Sequence, residues 1–164
     1  MKKLLIATLI IFAVVSAIFI PRYAEKNFNQ EARLASLDNQ FQAVIDGVDH
    51  KKAIRIAQAM LKILPADSPD AGKAWAKYGT HVYFSGHPLQ AIKAITLANK
   101  LCPDSSSVIE ANVILADAYR EIGEDEKAEL TLKDVEARSA KVSQRDKVIF
   151  MGMMLGVEDR LSNQ

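Results

Sequence analysis

A single cysteine, Cys102, stands among 164 residues, so the chain has no internal disulfide framework and no cysteine-built metal site. Neither sign of charge is in excess: 21 Lys and Arg balance 20 Asp and Glu to a net of +1, which leaves no electrostatic case for binding nucleic acid. Seven glycines and five prolines are too few for a low-complexity chain, and no biased tract occurs. Also missing are a nucleophile elbow, a P-loop, a His-Glu-x-x-His, a Cys-x-x-Cys and a glycine-rich dinucleotide fingerprint. The expectation is therefore a non-enzymatic protein without cofactor or metal. Of the three histidines, His50 and His87 fall in equivalent inter-helix turns and His81 falls on a helix; all three read as solvated residues rather than ligands. Asp46, Asp49, Asp67, Asp70, Glu124, Asp125 and Glu126 cluster at helix starts and turns, where the helix dipole favours negative charge.

What is present begins with a distinct N-terminus. Lys2 and Lys3 precede Leu4–Ile20, a run without charge whose polar groups are Thr8 and Ser16. As a helix this run spans ~25 Å, the short end of what crosses a bilayer. Val15-Ser16-Ala17 would serve a signal peptidase, yet Ile18-Phe19-Ile20 continue the apolar run beyond it. The reading preferred is an uncleaved transmembrane anchor over residues 1–20, with a cleaved export signal as the alternative. Either way, the positive-inside bias of Lys2 and Lys3 places the remainder outside the cytoplasm. The short basic start suits a bacterial inner-membrane protein with a periplasmic domain, or a soluble periplasmic protein after cleavage. Residues 21–33 are polar and read as a linker or a helix extension.

The remainder repeats. Ala53, Ala91 and Ala128 follow at steps of 38 and 37, and Pro65 and Pro103 are 38 apart. The turns GVDHKKA, SGHPLQA and IGEDEKA align with them. Leu34, Leu37, Phe41, Val44 and Ile45 recur at helical spacing, as do Ala53, Ile56, Ala57, Met60, Leu61 and Leu64. Ser68, Pro69 and Asp70 form a helix start, and helices are expected to about Phe84 and over Pro88–Leu101. Ser107-x-x-Glu110 reads as a capping box opening the next helix, and another follows from about Asp125 to Arg138. Small residues such as Gly79 and Ala91 allow close helix approach, while Trp75, Tyr78 and Ile95 fill the gap.

Trp75, Gly79, Ala91 and Pro103 coincide with the tetratricopeptide pattern W-x2-L-G-x2-Y…A-x3-F…P, with Tyr78, Val82 and Ile95 as replacements at its Leu, Tyr and Phe positions. Leu115-Ala116, Tyr119, Gly123, Ala128 and Leu132 carry the third unit. The chain thus resembles the tetratricopeptide repeat family. The fold implied is an all-α helical-hairpin solenoid over residues 34–164, with repeats at about 34–66, 72–105 and 109–142 and a C-terminal helix at 143–161. The resemblance also implies a protein-binding groove on the first helix of each pair. Carried over by repeat position, it comprises Asp38, Gln42, Ile45 and Asp46, then Lys73, Lys77, Thr80, Tyr83 and Phe84, then Val113, Asp117, Arg120 and Glu121. Ala76 and Thr80 stand where the family's carboxylate clamp has Lys and Asn, a departure from that specificity.

Val148–Val157 holds ten apolar or glycine residues in a row, more than one buried face requires, and too few to span a membrane. It reads either as a cap on the repeats or as a partner or self-association surface through Ile149, Met153, Met154 and Val157, where flexible methionines adapt well. The function expected is that of a membrane-anchored periplasmic scaffold or assembly subunit of an envelope complex, binding protein partners. The alternative is a structural single-span subunit that uses residues 4–20 within a membrane complex.

Overall fold

The structure, a computed structural model, describes residues 28–45 and 49–139. Among these the chain is all-helical, with no strand: α1 covers 28–45, α2 His50–Leu61, α3 Pro69–Phe84, α4 Pro88–Leu101, α5 Ser106–Glu121 and α6 Asp125–Ser139. The sequence's apolar run at 1–20 and the C-terminal segment with Ile149, Met153, Met154 and Val157 lie outside the described residues. Within those described, no helix is long and apolar enough to cross a membrane.

Two compact units divide the chain, with described residues up to Asn39 in the first and those from Gln40 onward in the second. In the first, the polar stretch is helical from residue 28; Leu34 and Leu37 are half-buried and Phe28 is exposed. The second unit carries everything that follows.

Its helix starts are built from local side chains. Asp49 caps α2 by accepting the Lys52 N–H at 2.9 Å. Ser68 caps α3, its Oγ accepting the Ala71 N–H at 3.1 Å, with Pro69 at the first helical position and Asp70 in the first turn. The expected capping box at Ser107 and Glu110 does not form. The turn after Pro103 makes Ser105 the cap residue, so α5 has begun one residue before Ser107, whose hydroxyl meets that of Ser105 at 3.0 Å instead.

The two hairpin turns share one design. Gly86 and Gly123 have φ of +82° and +79°, and no heavy atom lies within 4 Å of where a Cβ would sit. They are there for the left-handed backbone, not for space. Gly86 N–H donates to the Tyr83 carbonyl and His87 N–H to Val82; Gly123 N–H donates to Arg120 and Glu124 N–H to Tyr119. Each is a Schellman closure, which explains why SGH and IGE align in the sequence.

From α3 onward each helix packs on the one before it, and α5 also packs on α3. The helices approach through small residues: Ala53, Ala91 and Ala128 are all fully buried. A Cβ on Gly79 would fall 2.6 Å from Ile95 Cγ1, so α3 and α4 touch there. Gly72 does the same with Cys102 Sγ, at 2.5 Å. Between α3, α4 and α5 lies a cluster of Ala76, Ile95, Ala98, Val108, Ala111, Ile114 and Leu115, flanked by half-buried Trp75, Tyr83, Ile92 and Tyr119.

A polar staple crosses this core. Asn112, 1% exposed on α5, and Asn99 on α4 exchange two amide hydrogen bonds of 2.9 and 2.6 Å, and Asn112 Nδ2 also reaches the Val108 carbonyl. Arg138 on α6 donates to Asn99 Oδ1 and to the Pro103 carbonyl, and its guanidinium is bonded to Asp134. Asn112→Leu strips Asn99 of its amide partner and is expected to cost about 1–3 kcal/mol, whereas Asn99→Leu with Asn112→Leu should recover part of it, since Arg138 then loses an acceptor as well. Urea unfolding of the two variants checks this; equal losses would mean that the pair adds nothing as a pair.

Candidate functional site

The first helices of successive hairpins present regularly spaced residues to one another. Phe41, Gln42 and Ile45 on α1 lie one turn apart, as do Ala76-Lys77, Thr80-His81 and Phe84 on α3, and Ser107, Glu110 and Val113-Ile114 on α5. Together they line a groove of about 400 Å³ within the second unit. Six of its twelve lining residues are apolar, and the other six are Gln42, Lys77, Thr80, His81, Ser107 and Glu110. Phe41 is 1% exposed and closes the floor, while Ile45 and Phe84, 39% and 44% exposed, stand at the rim. Lys77 Nζ lies 4.7 Å from the Phe41 ring centroid, so the groove holds a cation over an aromatic face.

Of the residues expected to face a groove, Gln42, Ile45, Lys77, Thr80, Phe84 and Val113 line this one. The others do not. Tyr83 turns toward the α3–α5 cluster and meets Phe84 edge-on at 5.6 Å. Lys73 is exposed one turn earlier and paired with Asp70 at 2.9 Å; that hydrogen bond and charge raise its pKa. Asp117 and Arg120 are half-buried, Glu121 is exposed, and one Arg120 nitrogen, Nη1, is enclosed without a hydrogen-bond partner. On α5 the division falls along the helix axis: 117, 120 and 121 continue the face of 110, 113 and 114 but lie two turns farther on, past the residues that line the groove. Asp38 falls in the first unit, and Asp46 lies outside the described residues.

The histidines require a correction. His87 is exposed in the α3–α4 turn, but His50 and His81 are not solvated independently: their Nδ1 atoms are 3.0 Å apart and their ring centroids 5.2 Å apart. Comparing like turns put His50 beside His87, a hairpin away. Packing of α2 on α3 instead brings the first residue of α2 to the last turn of α3. His81 is 8% exposed and sits edge-on to Phe41, while the His50 ring stacks on Phe84, each at 5.2 Å. Burial, and then the neighbouring His50, hold His81 down at about 4. At neutral pH His81 is thus uncharged, and one Nδ1 carries the shared hydrogen while the other accepts it.

Cys102 is half-buried against Gly72, and burial pushes its thiol up. Among the described residues no group of three or more His, Cys, Asp or Glu side chains is placed to hold a metal. No protein-family model matches the chain, and no curated protein matches it.

Proposed function

We propose that the chain is a tetratricopeptide-type interaction module, tethered to the bacterial inner membrane by its N-terminal apolar run, and that its periplasmic groove holds a segment of a partner protein in an envelope complex. The observation that carries this reading is the groove itself, built from the first helices of three successive hairpins. The periodic buried alanines at 53, 91 and 128 and the matched Schellman turns support the repeat architecture. The occupant is a peptide segment of another protein that places a bulky apolar side chain between Ile45 and Phe84. The exposed apolar side chains of Ile45 and Phe84 beside the groove favour that chemistry.

Photo-crosslinking tests it. A benzoylphenylalanine at Thr80 in the membrane-associated protein should capture a peptide that carries a large apolar residue. The same probe at Lys93, on the exposed face of α4, should not. Phe84→Asp should cut the Thr80 cross-link at least tenfold while the far-UV circular dichroism keeps its helical signal. Equal capture at Thr80 and Lys93 would remove the groove from the account.

A further inference from the structure

The His50–His81 pair is not needed to make α2 or α3 helical, and it lies where the groove's aromatic residues are held. His81 lines the groove, its ring edge meets Phe41 on the floor, and its Nδ1 meets that of His50 at 3.0 Å. His50 in turn stacks on Phe84 at the rim, at an interplanar angle of 23°. One chain of four rings, Phe41, His81, His50 and Phe84, therefore runs from floor to rim through a single hydrogen bond. We propose that this pair is a proton-operated latch on the groove: while one of its rings is neutral the latch holds Phe41 and Phe84 in place, and when both are charged it parts and the groove releases its occupant. The proposal rests on the reading of the groove as a binding site.

The chemistry is that of a bond with one proton. Two neutral imidazoles, or one neutral and one cationic, have a donor and an acceptor at Nδ1. Two imidazoliums have two donors and no acceptor, with like charges 3.0 Å apart in a largely buried place. The rings must separate, and each carries an aromatic neighbour with it. Charged and titratable groups face the pair from several elements. From α2 there is Asp49, whose Oδ1 already accepts the Lys52 N–H. From α3 there is Lys77, a cation one turn before His81 that lies over Phe41 and adds repulsion. From α1 the neighbour is Phe41 itself, and from α5 Glu110 lines the groove. Burial of His81 fits this role, since it keeps that ring neutral until the solution is acidic.

The test is a titration of the full chain in detergent micelles from pH 7.5 to 3. Imidazole nitrogen resonances follow the three histidines, and ring-carbon resonances follow Phe41 and Phe84. The expected result is that the Phe41 and Phe84 signals move with the midpoint of His81 and not with that of His87. His50→Gln, which keeps a neutral donor and acceptor beside His81, should abolish the coupled shift. In parallel, cross-linking at Thr80 should fall about tenfold between pH 7 and pH 3, one unit below the His81 midpoint, in the parent and stay within threefold in His50→Gln. Far-UV circular dichroism should keep its helical signal throughout. Phenylalanine signals that ignore the His81 midpoint, or that shift only as helicity is lost, would overturn the latch. Absence of any Thr80 cross-link at pH 7 would instead strike at the groove as a binding site, leaving the ring coupling to be read on its own.

Discussion

Gly79→Leu is expected to cost the fold at least about 3 kcal/mol, with a clear drop in melting temperature. A helical Gly replaced by a better helix former gains up to about 1 kcal/mol in propensity, so the packing cost must exceed that to show at all. Here it does. The first carbon added would meet Ile95 Cγ1 at 2.6 Å, Ala94 Cβ at 3.2 Å and the Ala91 carbonyl at 3.4 Å, and Ile95 is fully buried with nowhere to move. Leu adds three more carbons at the same point. Ile95→Ala alone should cost about 2–5 kcal/mol by leaving a cavity. Because it removes the Cγ1 that clashes, the Gly79→Leu, Ile95→Ala double variant should lose less than the sum, by on the order of 1 kcal/mol or more. Strict additivity in denaturant melts would show that α3 and α4 do not touch at this point.

The second large effect is a loss of stability in acid. His81 has a folded-state pKa of about 4, below its ordinary 6.5, because burial and then His50 oppose its charge. Between those two values the unfolded chain binds a proton that the folded chain does not. Stability from this group is therefore complete above about pH 6.5 and declines as the pH falls toward 4, by ~3 kcal/mol in total. Urea midpoints at pH 7, 5.5 and 4 measure it, and His81→Gln isolates it, since the variant should lose less stability than the parent over that interval by about this amount. A parent and variant with parallel pH profiles would mean that His81 titrates alike folded and unfolded.

The repeat was legible because it is written in residues whose meaning is local. Gly86 and Gly123 close turns by their own backbone angles, Ser68 caps a helix through its own hydroxyl, and alanines at a period of 37 or 38 mark close contact. What escaped notice depends on which helix ends meet. Asn99 and Asn112 are 13 positions apart, on different helices, and nothing in either neighbourhood marks them as partners. His50 and His81 are 31 apart and join only because α2 lies against α3. Groove residues were half legible for the same reason: helical spacing placed Lys77, Thr80 and Phe84 on one face, but how far along α5 the groove runs, reaching Val113 and stopping short of Asp117 and Arg120, is fixed by packing.

Alanine supplies twelve of the 24 buried apolar residues among those described. An alanine has no rotamer freedom to lose on burial and little side chain to shave away. Such an interior is lopsided in the face of random change. Trimming can cost much only at the minority of large groups such as Phe41 and Ile95, while enlargement is resisted at nearly every helix contact. Descendants of this chain would drift freely on their surfaces and in the size of a few side chains. At the alanine contacts they would hold still, with the distances between helix axes surviving long after the remaining residues had ceased to resemble one another.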